Sequence, residues 1–290
     1  MTRTNSAALL GLVVLALAGC GGGDDAEEPS AVGPVVEDPG PVHVHGLGIN
    51  PADGALFIAT HTGLFRVAAD AEKAVCVGER FQDTMGFTVT GPDRFLGSGH
   101  PDGRDKLPPF LGLIRSTDAG RSWQPVSLLG KRDFHALEAA GTRVYGYGSE
   151  WETRRQGLLL SEDGGRSWRK AKTPEPFLAI AADPADPGRV VASGARGVYR
   201  SDDEGASWRR VYDHGGLVAW SDAGALLLAD ADGLVWSAEE SGNGWERIGE
   251  IAGGPAAFES AGDELYAALH DGTIKLSSDG GRSWSVRSRP

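Results

Sequence analysis

Sulfur is almost missing from this 290-residue chain, which has two cysteines (Cys20, Cys76) and two methionines (Met1, Met85). So little cysteine excludes a disulfide-stapled scaffold and a four-cysteine zinc site. Positive charge is short as well, with 28 Lys and Arg against 40 Asp and Glu and a formal net charge of −12. A phosphate backbone is repelled by such a surface, so no nucleic acid is expected as a partner. No stretch sustains a 3.6-residue apolar period, which leaves little room for helices. The one long apolar run, Ala7 to Ala18, is too short to span a bilayer.

Glycine, by contrast, is abundant at 43 residues, and much of it sits in one recurring phrase. STDAGRSW (Ser116–Trp123), SEDGGRSW (Ser161–Trp168), SDDEGASW (Ser201–Trp208) and SSDGGRSW (Ser277–Trp284) share the pattern S-x-D-x-G-x-x-W. Its Asp can accept hydrogen bonds from the N–H groups of its own turn, and its Gly supplies a positive φ. Its Trp starts the next strand, where a large aromatic can fill the gap between neighbouring units. GLVWSAEESGNGW (Gly233–Trp245) is a degenerate copy that has lost the Asp and kept the Trp; with it the phrase returns every 36 to 45 residues. Such a period marks a repeat architecture. The phrase resembles the Asp-box, or BNR, repeat of sialidases, sortilin-type receptors and photosystem assembly factors. The resemblance extends to bacterial lipoproteins labelled glycosyl hydrolase or exo-α-sialidase. It implies a β-propeller in which the box joins the third and fourth strands of a blade and is structural, not catalytic.

Each box follows a short apolar strand (LGLIRS, GLLLS, GVYRS, TIKLS), with two more strands before it. HGLGINPADGALFIATHTGLFRV (His45–Val67) repeats the strand, Pro-Asp turn, strand, Gly, strand order of LAIAADPADPGRVVASGARGVYRS (Leu178–Ser201), so it is a first unit whose box has decayed. Units then begin near His43, Thr84, Phe134, Phe177, Leu217 and Ala256, and about 40 residues each is the size of a four-stranded blade. The expectation is an all-β, six-bladed propeller over residues 42–290. Seven blades is the alternative, if Ser30–Pro41 adds a closing strand.

Residues 1–19 carry Arg3, the apolar run and then Leu17-Ala18-Gly19 before Cys20. A basic start followed by a short apolar run is the pattern of a secretory signal peptide. Its end is similar to the lipobox of bacterial lipoproteins, which implies lipid attachment at Cys20 and an extracytoplasmic protein held on a cell membrane. Residues 20–41, rich in Gly, Asp, Glu and Pro, are expected to be a flexible acidic tether. Removing residues 1–19 leaves a net charge of −13 and Cys76 as the remaining cysteine besides Cys20. Cys76 is expected to be a lone, buried thiol in the outer strand of the first blade.

Chemistry is expected where the first strand of each blade lines the channel and the loop after the second strand rims it. His43 and His45 (PVHVHGL) open the first blade; Met85 (DTMGF) and His135 (DFHAL) take the equivalent place in the next two. His61 (ATHTGLF) and His100 (GSGHPDG) follow second strands, as does His270 (ALHDGT) in the last blade; only His214 falls elsewhere. Imidazoles with a thioether outside the cytoplasm suit copper, with zinc as the alternative. The candidate metal ligands are therefore His43, His45, His61, Met85, His100 and His135. The competing reading is a set of polar residues satisfying backbone groups around a wet channel.

A glycoside hydrolase is the runner-up, since the resemblance includes sialidases. That family is implied to need three arginines for a carboxylated sugar, the first in an R-I-P phrase before the first box, and a Tyr nucleophile paired with Glu plus an Asp acid. Here the place of R-I-P holds Gly112-Leu113-Ile114-Arg115-Ser116. The weak catalytic candidates are Tyr147 with Glu150 (RVYGYGSEW), Asp83 and Asp102, with Asp105 and Glu152 in nearby loops. A glycosidase would need two carboxyls about 5 to 9.5 Å apart. Tyr145 and Tyr147 also suit a plain strand with packed rings and wet hydroxyls. The third reading is a metal-free assembly scaffold that takes a protein or glycan ligand at the channel face. There SGHPDGRDKLPPFLG (Ser98–Gly112) would either expose Pro108, Pro109 and Phe110 or fold back over the channel.

Overall fold

Short strands rich in Val, Leu and Ile can bury both faces only by stacking sheet on sheet. The computed structural model, which describes residues 40–41 and 43–290, stacks six four-stranded antiparallel sheets, each built from four strands consecutive in sequence. The protein is a six-bladed propeller. The inner strands are Val44–Ile49, Asp83–Gly91, Arg132–Ala140, Phe177–Ala182, Leu217–Trp220 and Pro255–Ala261, within two residues of the expected blade starts.

The core is divided into six layers, one at each blade interface. The layer between the first and second blades contains Phe57 and Phe95, and the layer closing the last blade on the first contains Val44, Phe65, Tyr266 and Ile274. Closure is reinforced by Arg287, whose guanidinium donates to the carbonyls of Ala68, Ala69 and Ala71. Every blade uses its own four strands, so no seventh blade and no closing strand from Gly40–Pro41 forms among the described residues. The signal peptide, Cys20 and most of the tether expected in residues 20–41 lie outside the described residues. Within those described, no helix is long and apolar enough to cross a membrane.

The boxes fold as their chemistry dictates. In the second, Ser161 Oγ donates to Asp163 Oδ1 (2.7 Å), and Asp163 accepts from Ser167 N (2.9 Å) and Ser167 Oγ (2.6 Å). These bonds, the Ser167 hydroxyl first, hold the Asp163 carboxyl well below the usual range. Gly165 has φ +86°, and a Cβ there would lie 2.0 Å from Leu113 of the preceding blade. Trp168 then crosses the interface, its Nε1 donating to Ser127 Oγ (2.9 Å) and its ring 5.1 Å from that of Phe134. The degenerate copy keeps the same use of Trp245, which stacks on Tyr212 of the fourth blade at 4.7 Å.

One alternative is decided and one expectation needs correction. Phe110 is buried (4% exposed), since the Ser98–Gly112 segment folds back and leaves only Leu107 of its large apolar residues exposed. Leu111 N donates to Gly99 O (2.9 Å) and Phe110 packs on Trp151 (5.1 Å), because an apolar ring gains more against the rim than in water. Cys76 does lie in the outer strand of the first blade, but it is half-buried, not buried as expected.

Candidate metal centre at the channel mouth

Five of the six inner strands share one irregularity. The register with the second strand skips one residue in each: His45, Met85, His135, Leu178 and Ala256. A bulge leaves its extra residue outside the ladder and re-aims its side chain, which is why bulges collect beside functional sites. The sequence equivalence of His45, Met85 and His135 is thereby explained. Two residues upstream of each bulge the first three blades carry His43, Asp83 and Asp133.

Contacts pass from each blade to the next. His45 Nε2 stands 3.5 Å from Asp83 Oδ1, and His61 Nδ1 stands 3.0 Å from Asp83 Oδ2. One ligand atom from each of His45, His61 and Asp83 lies within 4.8 Å of the other two. The His43 ring is 6.3 Å from that of His61, and His43 has φ +54°, a left-handed backbone just before the strand begins at Val44. Asp83 is nearly buried, and neither its Oδ1 nor His45 Nε2 makes a hydrogen bond. Gly99 permits this approach: with φ +140°, a Cβ there would lie 2.0 Å from the Asp83 carbonyl oxygen.

His100 and His135 do not join that group. Both face Asp133, with Nε2 atoms 3.4 and 3.0 Å from its Oδ2. The hydrogen bond that His135 Nε2 donates to Asp133, and then the charges of Asp133 and Asp83, raise the His135 pKa against the opposing effect of burial. The six candidates thus divide around two carboxylates, with Met85 on the bulge between them. His270 holds the place equivalent to His61, but the blade after it presents His43 where the second and third blades present Asp83 and Asp133. His214 stacks on Trp236, 6.1 Å away, in another loop.

The catalytic candidates are largely committed elsewhere. Asp102 is buried and held far below the usual carboxylate range, chiefly by hydrogen bonds from Arg104. Glu150 accepts from Thr153 Oγ1 (2.7 Å) and faces Arg132 (3.7 Å). Tyr147 is a core residue whose hydroxyl donates to Gln156 (3.2 Å), and Tyr145 donates to Pro187 O (2.8 Å). Asp105 pairs with Arg80 at 2.8 Å, and Glu152 is exposed.

Sequence reasoning missed Asp133 altogether and took Asp83 for a rim carboxylate. Their shared place two residues before a bulge was the available signal. It also missed Glu138 and Glu259, single charges in the apolar runs HALEAA and AAFESA. Both line the central cavity of about 440 Å³ with His45 and His135. Desolvation in that narrow space pushes Glu138 up to about 8, and raises Glu259 well above its usual value with help from Glu138.

No family model matches the chain. A curated xyloglucanase from a Paenibacillus species is 27% identical over 207 residues, covering 60% of this chain and 19% of that protein. Among solved structures, the GH74 enzyme of Niastella koreensis aligns with a TM-score of 0.60 at 15% identity, over 85% of this chain and 45% of that one. The GH74 xyloglucanase of Xanthomonas campestris aligns at 0.55 and 19%, with the same coverages of 85% and 45%. A chain of a nidogen/laminin complex aligns at 0.65 and 12%, over 81% of this chain and 93% of that one. At these identities the solved structures share the propeller fold, and this chain spans under half the length of the GH74 enzymes.

Proposed function

We propose that this protein is a lipid-anchored, extracytoplasmic binding propeller that holds a transition-metal ion at its channel mouth through His45, His61 and Asp83. The supporting observation is the pair of unpartnered atoms, His45 Nε2 and Asp83 Oδ1, facing each other 3.5 Å apart. Buried polar atoms without partners are costly, and a cation between them removes the cost. The spacing suits an ion. Bonds of about 2.0–2.2 Å at 90–110° put neighbouring donors about 2.8–3.6 Å apart, which spans the 3.5 and 3.0 Å separations at Asp83. Two imidazoles and a carboxylate favour copper(II) or zinc; Met85, on the equivalent bulge, is the thioether that would favour copper(I).

Protein equilibrated with copper(II) or zinc and then desalted should retain metal, and His61→Ala or Asp83→Asn should each remove one bound equivalent. Retention should fall as pH drops through the imidazole range near about 6.5, because ligation needs neutral imidazole. Wild-type protein that retains neither ion would overturn the metal reading. The anchor rests on Leu17-Ala18-Gly19-Cys20: Cys20→Ser should move the protein from the membrane fraction to the soluble one, and a variant that stays on membranes would refute it.

A glycoside hydrolase is the second reading, favoured by the xyloglucanase relative. The channel acids Glu138 and Glu259 would be its carboxyl pair, although a glycosidase keeps one of its two ionised and the channel favours the proton on both. Xyloglucan hydrolysis by wild-type protein, abolished in Glu138→Gln, would establish this reading in place of the first.

A further inference from the structure

We infer, resting on the lipid-anchored reading above, that the rim of the channel mouth at the second and third blades docks on an anionic lipid surface through the exposed residues Lys106, Leu107, Lys131, Trp151, Arg154 and Arg155. Chain direction puts all six on one face. In each blade the inner strand starts at the mouth and the second strand returns to it, so segments 101–112 and 151–155, which follow second strands, and 128–131, which precedes an inner strand, lie together there. The segments also touch. Gly130 N donates to Phe110 O (2.7 Å), Trp151 N donates to Lys131 O (2.9 Å), and the Arg154 guanidinium lies 4.1 Å from the centre of the Trp151 ring.

The charge of this patch is opposite to that of the chain, which carries a net −12. Its acids are matched locally, Asp102 by Arg104, Asp105 by Arg80 and Glu150 by Arg132. Lys106, Lys131, Arg154 and Arg155 are exposed and form no ion pair among the described residues, with Glu152 the acid left to oppose them. Leu107 (39% exposed) and Trp151 (37%) stand among these cations, and Leu178 (57%), at the bulge of the fourth blade, adds an apolar side chain on the same face. Such a mixture fits the headgroup region of a bilayer, where an indole and an aliphatic enter the boundary while long-stemmed cations meet lipid phosphates.

The point where the chain enters the propeller favours a lipid surface over a soluble anionic partner. The His43 ring is 6.3 Å from that of His61, and a Cβ at Gly272, in the corresponding loop of the last blade, would lie 2.5 Å from Pro41 O. The chain therefore joins the fold on the face that carries the patch. Between Cys20 and His43 there are 22 residues, 21–42, a reach of at most about 80 Å. An acyl group at Cys20 thus draws this face toward the bilayer, rather than the opposite face with its boxes. A basic patch alone holds a protein weakly, and joined to an acyl anchor it fixes orientation.

Full-length Cys20→Ser protein, which has no acyl acceptor, should sediment at low salt with vesicles of phosphatidylglycerol and phosphatidylcholine but not with phosphatidylcholine alone. Binding should fall as salt rises, because exposed charges are screened. Adding Lys131→Ala and Arg155→Ala, which remove no ion pair, should weaken it about fivefold per charge, and Trp151→Ala should weaken it again. Residues 1–19 are common to every variant, so the differences report the patch. Hydrogen exchange of acylated wild-type protein should slow in 103–109 and 151–155 on phosphatidylglycerol nanodiscs and not on phosphatidylcholine ones, a readout that needs no variant to fold. No binding to the anionic vesicles, or binding unchanged by Lys131→Ala with Arg155→Ala, would overturn the lipid-docking patch and leave the acyl anchor intact. Wild-type protein whose mass shows no acyl group, with vesicle binding still lost in the charge variants, would overturn the anchor and uphold the patch.

Discussion

A histidine has two nitrogens, and what one of them touches decides what the other can do. His100 is tied by Nδ1 to the Pro109 carbonyl, His45 leaves Nε2 unpartnered, and His61 spends Nδ1 on Asp83. These are three different states of one side chain around two acids. The acids matter as much as the imidazoles. Asp83 and Asp133 are nearly buried, and neither has an Arg or Lys within ion-pair distance, in contrast to Asp102 with Arg104 and Asp183 with Arg189. An acid that is buried and faced only by histidines depends on a proton or a metal for its countercharge. That separates these carboxylates from the others in a chain that has 40 of them.

At the scale of the element, the unit of construction is the box with the interface it closes. Trp168→Ala removes a half-buried indole that packs on Phe134 and donates to Ser127 Oγ, so it should cost about 2 to 4 kcal/mol. The site of His45, His61 and Asp83, on the first two blades, should keep its stoichiometry in that variant. Denaturant unfolding checks the first part and metal titration the second; an unchanged midpoint would mean that the ring is not part of the interblade core. The same element explains what the sequence could tell. Box turns are local, within eight residues, so blade number, strand order and the role of Trp245 could be read from spacing. The equivalence of His45, Met85 and His135 could be read as well, because they sit at one offset in their units, but the bulge at that offset could not. The pairing of His45 and His61 with Asp83, and of His100 with Asp133, could not, since these contacts cross from one blade to the next and no spacing encodes them. The place of Phe110 was left open for a similar reason: its partner Trp151 belongs to another blade.

At the scale of the whole molecule, the channel couples opposite blades. Glu138 and Glu259 each lie three residues past their bulge, pair across strands with Tyr145 and Tyr266, and belong to the third and sixth of six blades. They therefore sit at one depth on opposite walls. Desolvation raises both, and the charge of Glu138 further disfavours ionisation of Glu259. The sign for stability follows. Below the ordinary Glu value of 4.5 both the folded and the unfolded chain hold the proton and the contribution is fully present; between 4.5 and about 8 the unfolded chain has lost a proton that folded Glu138 retains. Stability then falls as pH rises, by up to about 1.4 kcal/mol per pH unit for each such proton, and levels off above the folded value. Glu138→Gln keeps the size of the side chain and its contact with Ala182 N (3.4 Å) while removing the proton equilibrium. Melting temperatures from pH 5 to pH 8 should therefore fall more steeply for wild-type protein than for Glu138→Gln, with the variant gaining relative stability toward pH 8. Parallel curves for the two proteins would show that the channel hydrates these acids freely and that the opposite walls do not sense each other's charge.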